Sequence, residues 1–127
     1  MNRAIISIAT FLSLSAGASV VAQDDLFDGP FAGNCGDEVQ CTADFKRSGK
    51  DYIMDVRVSD GKDDQRTICQ FIVPMKTLAF DVLIGELDGV QVRVAHMPTE
   101  DVVISGLPKD GCSGAVVNGP YRQFFDE

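Results

Sequence analysis

The sequence predicts an all-β fold, a small antiparallel β-sandwich or barrel-like domain stapled by two disulfides. Three observations carry that expectation. Apolar residues recur at every second position through the middle of the chain, as in half-buried strands. Short runs of this kind are separated by turns rich in Gly and Asp. Four cysteines, an even number, follow an N-terminus that reads as an export signal, and small exported domains use such cysteines as staples.

The N-terminus is "MNRAIISIATFLSLSAGASVVAQDD", with Arg3 ahead of an apolar run and Val20 and Ala22 at the positions a signal peptidase requires before Gln23. Residues 1–22 are therefore read as a signal peptide. The run is shorter and richer in Ser, Ala and Gly than the ~20 apolar residues of a spanning helix, so no stable membrane insertion is expected after cleavage. Residues 23–127 have the length of a single exported domain.

Losing Arg3 moves the formal charge from −8 to −9, with ten Lys and Arg against nineteen Asp and Glu. That surface repels nucleic acid and favours a protein partner with a basic surface. The destination implied is the periplasm or the medium.

Cys35 and Cys41 lie in "NCGDEVQC", while Cys69 and Cys112 have no near neighbour. Zinc sites want closer pairs or several histidines, and His96 is the only one. Neither Cys-x-x-Cys nor a haem-attachment motif occurs. Four cysteines allow three connectivities. The expected one joins Cys35 to Cys41 across a small loop and Cys69 to Cys112 across a long one. The long bridge should contribute roughly 3–4 kcal/mol and the short one less.

Gln23 to Asn34 reads as an extended acidic arm tacked down by Phe27 and Phe31. "DYIMDVRVS" puts Tyr52, Met54, Val56 and Val58 on one face of a strand, between the turns "KRSGK" and "DGKDDQ". "TICQFIV" is a second strand that should stop at Pro74. "MKTLAFDVLIGEL" fits either a short helix or further strand. In "ELDGVQVRVAH", Asp88-Gly89 between alternating runs signals a type I′ hairpin, with Val90, Val92 and Val94 on one face. "DVVIS" and "CSGAVV" read as short strands around the turn "GLPKDG", and Gly119-Pro120 as a break before an aromatic tail. In that tail Tyr121, Phe124 and Phe125 either cap the core or form an exposed partner-binding patch.

No catalytic residues, cofactor or metal site are expected. "DGKDD" begins like a calcium loop, but Lys62, Gln65 and Phe71 fall where ligands or Gly are required. His96 lacks a surrounding nucleophile motif, and no Gly-rich phosphate loop precedes a helix. "SGKDY" has the Ser-Gly-x-x-Tyr spacing of the C-type lysozyme inhibitors, without the tryptophans of that family.

Cys35 and Cys41, "IVPMKTL" (residues 72–78), Asp88-Gly89 and Gly111-Cys112 occur in the order in which the invasion-associated locus B proteins of alphaproteobacteria carry an early cysteine pair, a V-x-P-L element, a D-G turn and a late G-C. The chain resembles that family over most of residues 23–127. It departs in placing its fourth cysteine at Cys69 rather than just before the late Gly-Cys, and in ending soon after "AVVNG". The resemblance implies an exported, non-enzymatic envelope protein concerned with host-cell interaction or virulence. Composition supports one alternative, an acidic inhibitor of a basic secreted hydrolase such as lysozyme. A small hydrolase built around His96 is the third class considered.

Overall fold

Eight strands alternate in direction along the chain, each hydrogen-bonded to the next, and the eighth returns to pair with the first (computed structural model, residues 25–124 described). They are β1 (Phe31–Gly33), β2 (Val39–Ser48), β3 (Asp51–Asp60), β4 (Thr67–Ala79), β5 (Val82–Leu87), β6 (Val90–His96), β7 (Asp101–Ser105) and β8 (Gly119–Gln123). The result is a closed, antiparallel, up-and-down barrel. The expected signal peptide and Phe125 lie outside the described residues.

Period two decides which side chains fill it. Tyr52, Met54, Val56 and Val58 point inward from β3 and are buried, as are Val73 and Met75 from β4, Leu83 from β5, Val92 and Val94 from β6, and Val102 and Ile104 from β7. Eight strands enclose a lumen just wide enough for such side chains to occupy.

The two disulfides are Cys35–Cys41 and Cys69–Cys112, as expected, and no described cysteine is free. Two tight hairpins also follow the sequence. Gly49 has φ +67° at the first position of the β2–β3 turn, the place a type II′ turn reserves for glycine. Asp88 (φ 53°) and Gly89 (φ 80°) are both left-handed, as a type I′ turn requires.

Several local readings change or are resolved. The acidic arm is extended only in part: Leu26 and Phe27 form a turn, and Phe31–Gly33 pairs with both β2 and β8 and so closes the barrel. "MKTLAFDVLIGEL" is a hairpin: Met75 to Ala79 continue β4, Phe80-Asp81 turn, and β5 follows, with Leu78 bulged out of register. "CSGAVV" is loop, and the strand lies beyond it at Gly119–Gln123.

Pro74 does not stop β4. It sits opposite Ile53 of β3, and without an N–H it can occupy only the non-hydrogen-bonded type of pair, with its missing donor turned toward β5. There the β4–β5 ladder runs from Met75 onward and goes no further back than Met75. Proline thus ends one seam of the strand and leaves the other intact. Pro120 repeats the device on β8, paired with Val103 of β7 just past the last residue of β1. Gly85 makes the closing contact possible, since a Cβ there would lie 2.5 Å from the Pro74 carbonyl oxygen.

Candidate functional site

Strand direction sorts the loops onto two rims. One rim carries the segment before β1 and the β2–β3, β4–β5 and β6–β7 turns. The other carries the β1–β2, β3–β4 and β5–β6 connections and the long β7–β8 loop.

On the first rim Phe27 is driven into the barrel mouth, 2% exposed, with ring centroids 5.5 Å from those of Phe45 and Tyr52 and 6.1 Å from that of His96. Asp25 holds this plug in place. Its Oδ1 accepts from the Phe27 amide (3.0 Å) and the Tyr52 hydroxyl (2.7 Å), and its Oδ2 accepts from Arg47 Nε (3.2 Å). The Arg47 guanidinium lies over the Tyr52 ring, 4.9 Å from its centroid. Partial burial pushes the Asp25 carboxyl upward, but the Tyr52 and Phe27 hydrogen bonds and the Arg47 charge outweigh it and hold the group below the usual carboxylate range. Burial and donation to that carboxylate push the Tyr52 hydroxyl up to about 12.

Beside this cluster opens a cleft of about 440 Å³, lined among others by Leu26, Arg47, Lys50, Tyr52, Thr77 and Phe80. Phe80 is 81% exposed at the tip of the β4–β5 turn, and the bulged Leu78 beside it is 59% exposed. Neither residue was singled out by sequence reasoning. The only available signal was an aromatic between two strand-like runs, which is equally a core residue.

The second rim is acidic. The Gly61 amide donates to the Glu38 carbonyl (2.8 Å), which sets the β1–β2 and β3–β4 loops side by side. Asp37, Glu38, Asp63 and Asp64 make no salt bridge among the described residues, whereas Asp60 pairs with Arg66 at 2.6 Å. The carboxylates of the "DGKDD" turn are used locally: Asp60 accepts from the Lys62 amide and Asp63 from the Gln65 amide. The β7–β8 loop is drawn into the core by Leu107, Cys112, Ala115 and Val117. The Asn118 side chain exchanges two 2.9 Å hydrogen bonds with the Leu107 backbone across the base of that loop.

The aromatic tail separates. Tyr121 is 2% exposed, faces inward from β8, and donates its hydroxyl to the Val117 carbonyl at 2.7 Å; burial pushes it up to about 12. Of the two readings of the tail, core-capping holds for Tyr121 and the exposed partner-binding patch is corrected, because the tail is a strand and its period of two turns this ring into the core. Phe124, three residues on, is partly exposed at 38%. His96 is nearly buried, edge-on to Phe27, with Nε2 3.8 Å from Glu100. No serine hydroxyl is hydrogen-bonded to it among the described residues. Among the described residues no group of three or more His, Cys, Asp and Glu is placed to hold a metal, and no helix is long and apolar enough to cross a membrane. Comparison with protein-family models, with curated proteins and with solved structures gave no match.

Proposed function

We propose that this chain is an exported, non-enzymatic binding protein of the bacterial envelope that engages a protein partner through the Phe80 rim. The observation that carries this reading is the 81% exposure of Phe80 beside Leu78, at the lip of a cleft in a barrel whose lumen is full. A large apolar side chain held out by a tight hairpin gains nothing within the chain, and such residues are typical anchors of protein interfaces. Two disulfides suit the periplasm or the medium, where such bonds persist. The resemblance to the invasion-associated locus B proteins points to host-cell interaction or virulence. The net negative charge favours a partner whose surface around the contact is basic.

Affinity capture with the exported protein and with Phe80→Ser tests this. Partner recovery should fall with the variant while the melting temperature holds. Equal recovery by both would reject the Phe80 rim as the contact.

The acidic rim supports a second reading, an inhibitor of a basic secreted hydrolase. Asp37, Glu38, Asp63 and Asp64 present carboxylates without a salt-bridge partner among the described residues, which would steer a cationic enzyme. Inhibition of lysozyme should then appear at low salt and weaken in high salt. It should vanish when the four are changed to Asn and Gln.

A further inference from the structure

The Phe80 cleft also contains a cationic fork whose orientation is set from behind. Arg47 is restrained on two sides, by its Nε–H bond to Asp25 and by the Tyr52 ring against its face. Asp25 is itself fixed by two further donors, so the guanidinium rests on a rigid support. Both restraints spare Nη1 and Nη2, and neither atom makes a hydrogen bond among the described residues. A guanidinium presented in this way offers two parallel N–H groups with the spacing of a carboxylate.

Lys50 lines the same cleft from the β2–β3 turn and forms no salt bridge among the described residues. The Phe80 ring and Leu26 supply an apolar wall. Two cations, one of them paired with Asp25, and an aromatic face line one cleft of a chain that is otherwise strongly acidic.

We propose that this cleft binds a carboxylate carried next to an aromatic or large apolar group, as at the C-terminal end of a peptide chain that finishes in such a residue. The carboxylate occupies the Arg47 fork with Lys50 beside it, and the apolar group lies against Phe80. The inference rests on the binding role assigned above to the same rim and adds the chemistry that it recognises. The body of a basic partner would be attracted by the acidic surroundings of the cleft while its terminal carboxylate sits on the two cations.

The test is an amide-resolved NMR titration of the oxidised protein with N-acetyl-phenylalanine, its carboxamide, N-acetyl-glycyl-phenylalanine and phenylacetate. N-acetyl-phenylalanine should move the amide signals of Arg47, Lys50, Tyr52 and Phe80, with a dissociation constant on the order of 1–10 mM for so small a probe. The carboxamide should bind about tenfold more weakly, because it forfeits the charge-assisted pair. Tighter binding of the dipeptide than of phenylacetate assigns the site to a peptide terminus; equal binding assigns it to free aromatic acids, the same chemistry from another source. Arg47→Lys keeps the charge but loses the fork, and should weaken the acid about tenfold. Lys50→Gln, at an exposed turn position whose side chain makes no salt bridge among the described residues, should weaken it by roughly threefold.

Equal affinity for acid and carboxamide overturns the proposal. So does wild-type binding by both variants, or the absence of shifts at the cleft with N-acetyl-phenylalanine at roughly ten times the expected constant. If the probes fail while partner capture still depends on Phe80, the carboxylate chemistry is refuted and the binding role stands.

Discussion

The two rims of this barrel are closed by different means. The acidic rim is closed covalently and by backbone mimicry: Cys69–Cys112 fastens the long β7–β8 loop to β4, Cys35–Cys41 closes the β1–β2 loop, and Asn118 pairs with Leu107 as a strand would. The aromatic rim has no covalent tie among its described residues. It is closed by one ring, Phe27, and by a carboxylate with three donors. The difference follows from the lengths of the connections. Turns such as Gly49-Lys50 and Phe80-Asp81 need no staple. The loop from Gly106 to Asn118 has no strand partners of its own, and without cross-links or a buried apolar set it would contribute mainly entropy to the unfolded side. The stapled rim is therefore the covalently cross-linked one, and the aromatic rim carries the exposed Phe80 ring with no cross-link among the described residues.

Removing the staples should break that asymmetry most. Cys69→Ser or Cys112→Ser should cost about 4 kcal/mol in urea unfolding and Cys35→Ser about 2, because the sequence separations are 43 and 6 and the longer bridge restricts the unfolded chain more. Equal losses would mean that the staples act through the native loops instead. On the other rim Phe27→Ala should cost about 3 kcal/mol, as for other buried aromatics. It should also raise hydrogen exchange at the mouth while leaving the β7–β8 loop protected. Asp25→Asn is milder, about 1 kcal/mol, since one neutral amide replaces a charged acceptor with three donors.

pH separates the two rims as well. The Asp25 carboxyl is depressed on folding, so its contribution is present above the unfolded value near ~4 and is lost as pH falls toward the folded one. Acid should loosen the mouth, seen as earlier exchange of the Phe27 amide than of the Leu107 amide, which no carboxylate holds. Tyr52 and Tyr121 are raised to about 12, so their contribution is full below the unfolded value near ~10 and fades as pH rises toward the folded one. Native protein should show almost no tyrosinate absorbance until that range, one tyrosine reporting each closure.

The smallest expected effect lies between the rims. Asp44 and Asp55 face each other directly across β2 and β3 on the outer wall, and desolvation together with the Asp55 charge raises the Asp44 carboxyl. Its charged form is therefore a burden at neutral pH. Asp44→Asn should raise the melting temperature by a degree or two at pH ~7 and by less in acid, where Asp44 is already protonated.

What the sequence alone determined is what depends on neighbours along the chain. Alternation in "DYIMDVRVS" settles which β3 side chains enter the core, because successive Cβ atoms point to opposite faces whatever the partner strand. Asp88-Gly89 settles its turn, because a type I′ geometry needs two left-handed residues in a row and few pairs tolerate it. Proximity made Cys35–Cys41 legible in the same way. What only the tertiary structure decided is what depends on partners far away. Pro74 and Pro120 read as stops, since the sequence does not show that the missing N–H faces a seam that is already ending. Phe31–Gly33 is too short to signal a strand; it becomes one because β2 and β8 flank it. Phe80 and Tyr121 are both aromatics next to apolar runs, yet one is 81% exposed and the other 2%. Strand register and barrel closure place one ring on a turn at the rim and the other on the inner face, and no local pattern encodes either. The cleft is the furthest from the sequence, because Asp25 and Phe80 come from distant segments and reach the Arg47–Tyr52 pair of the β2–β3 hairpin only when the barrel forms.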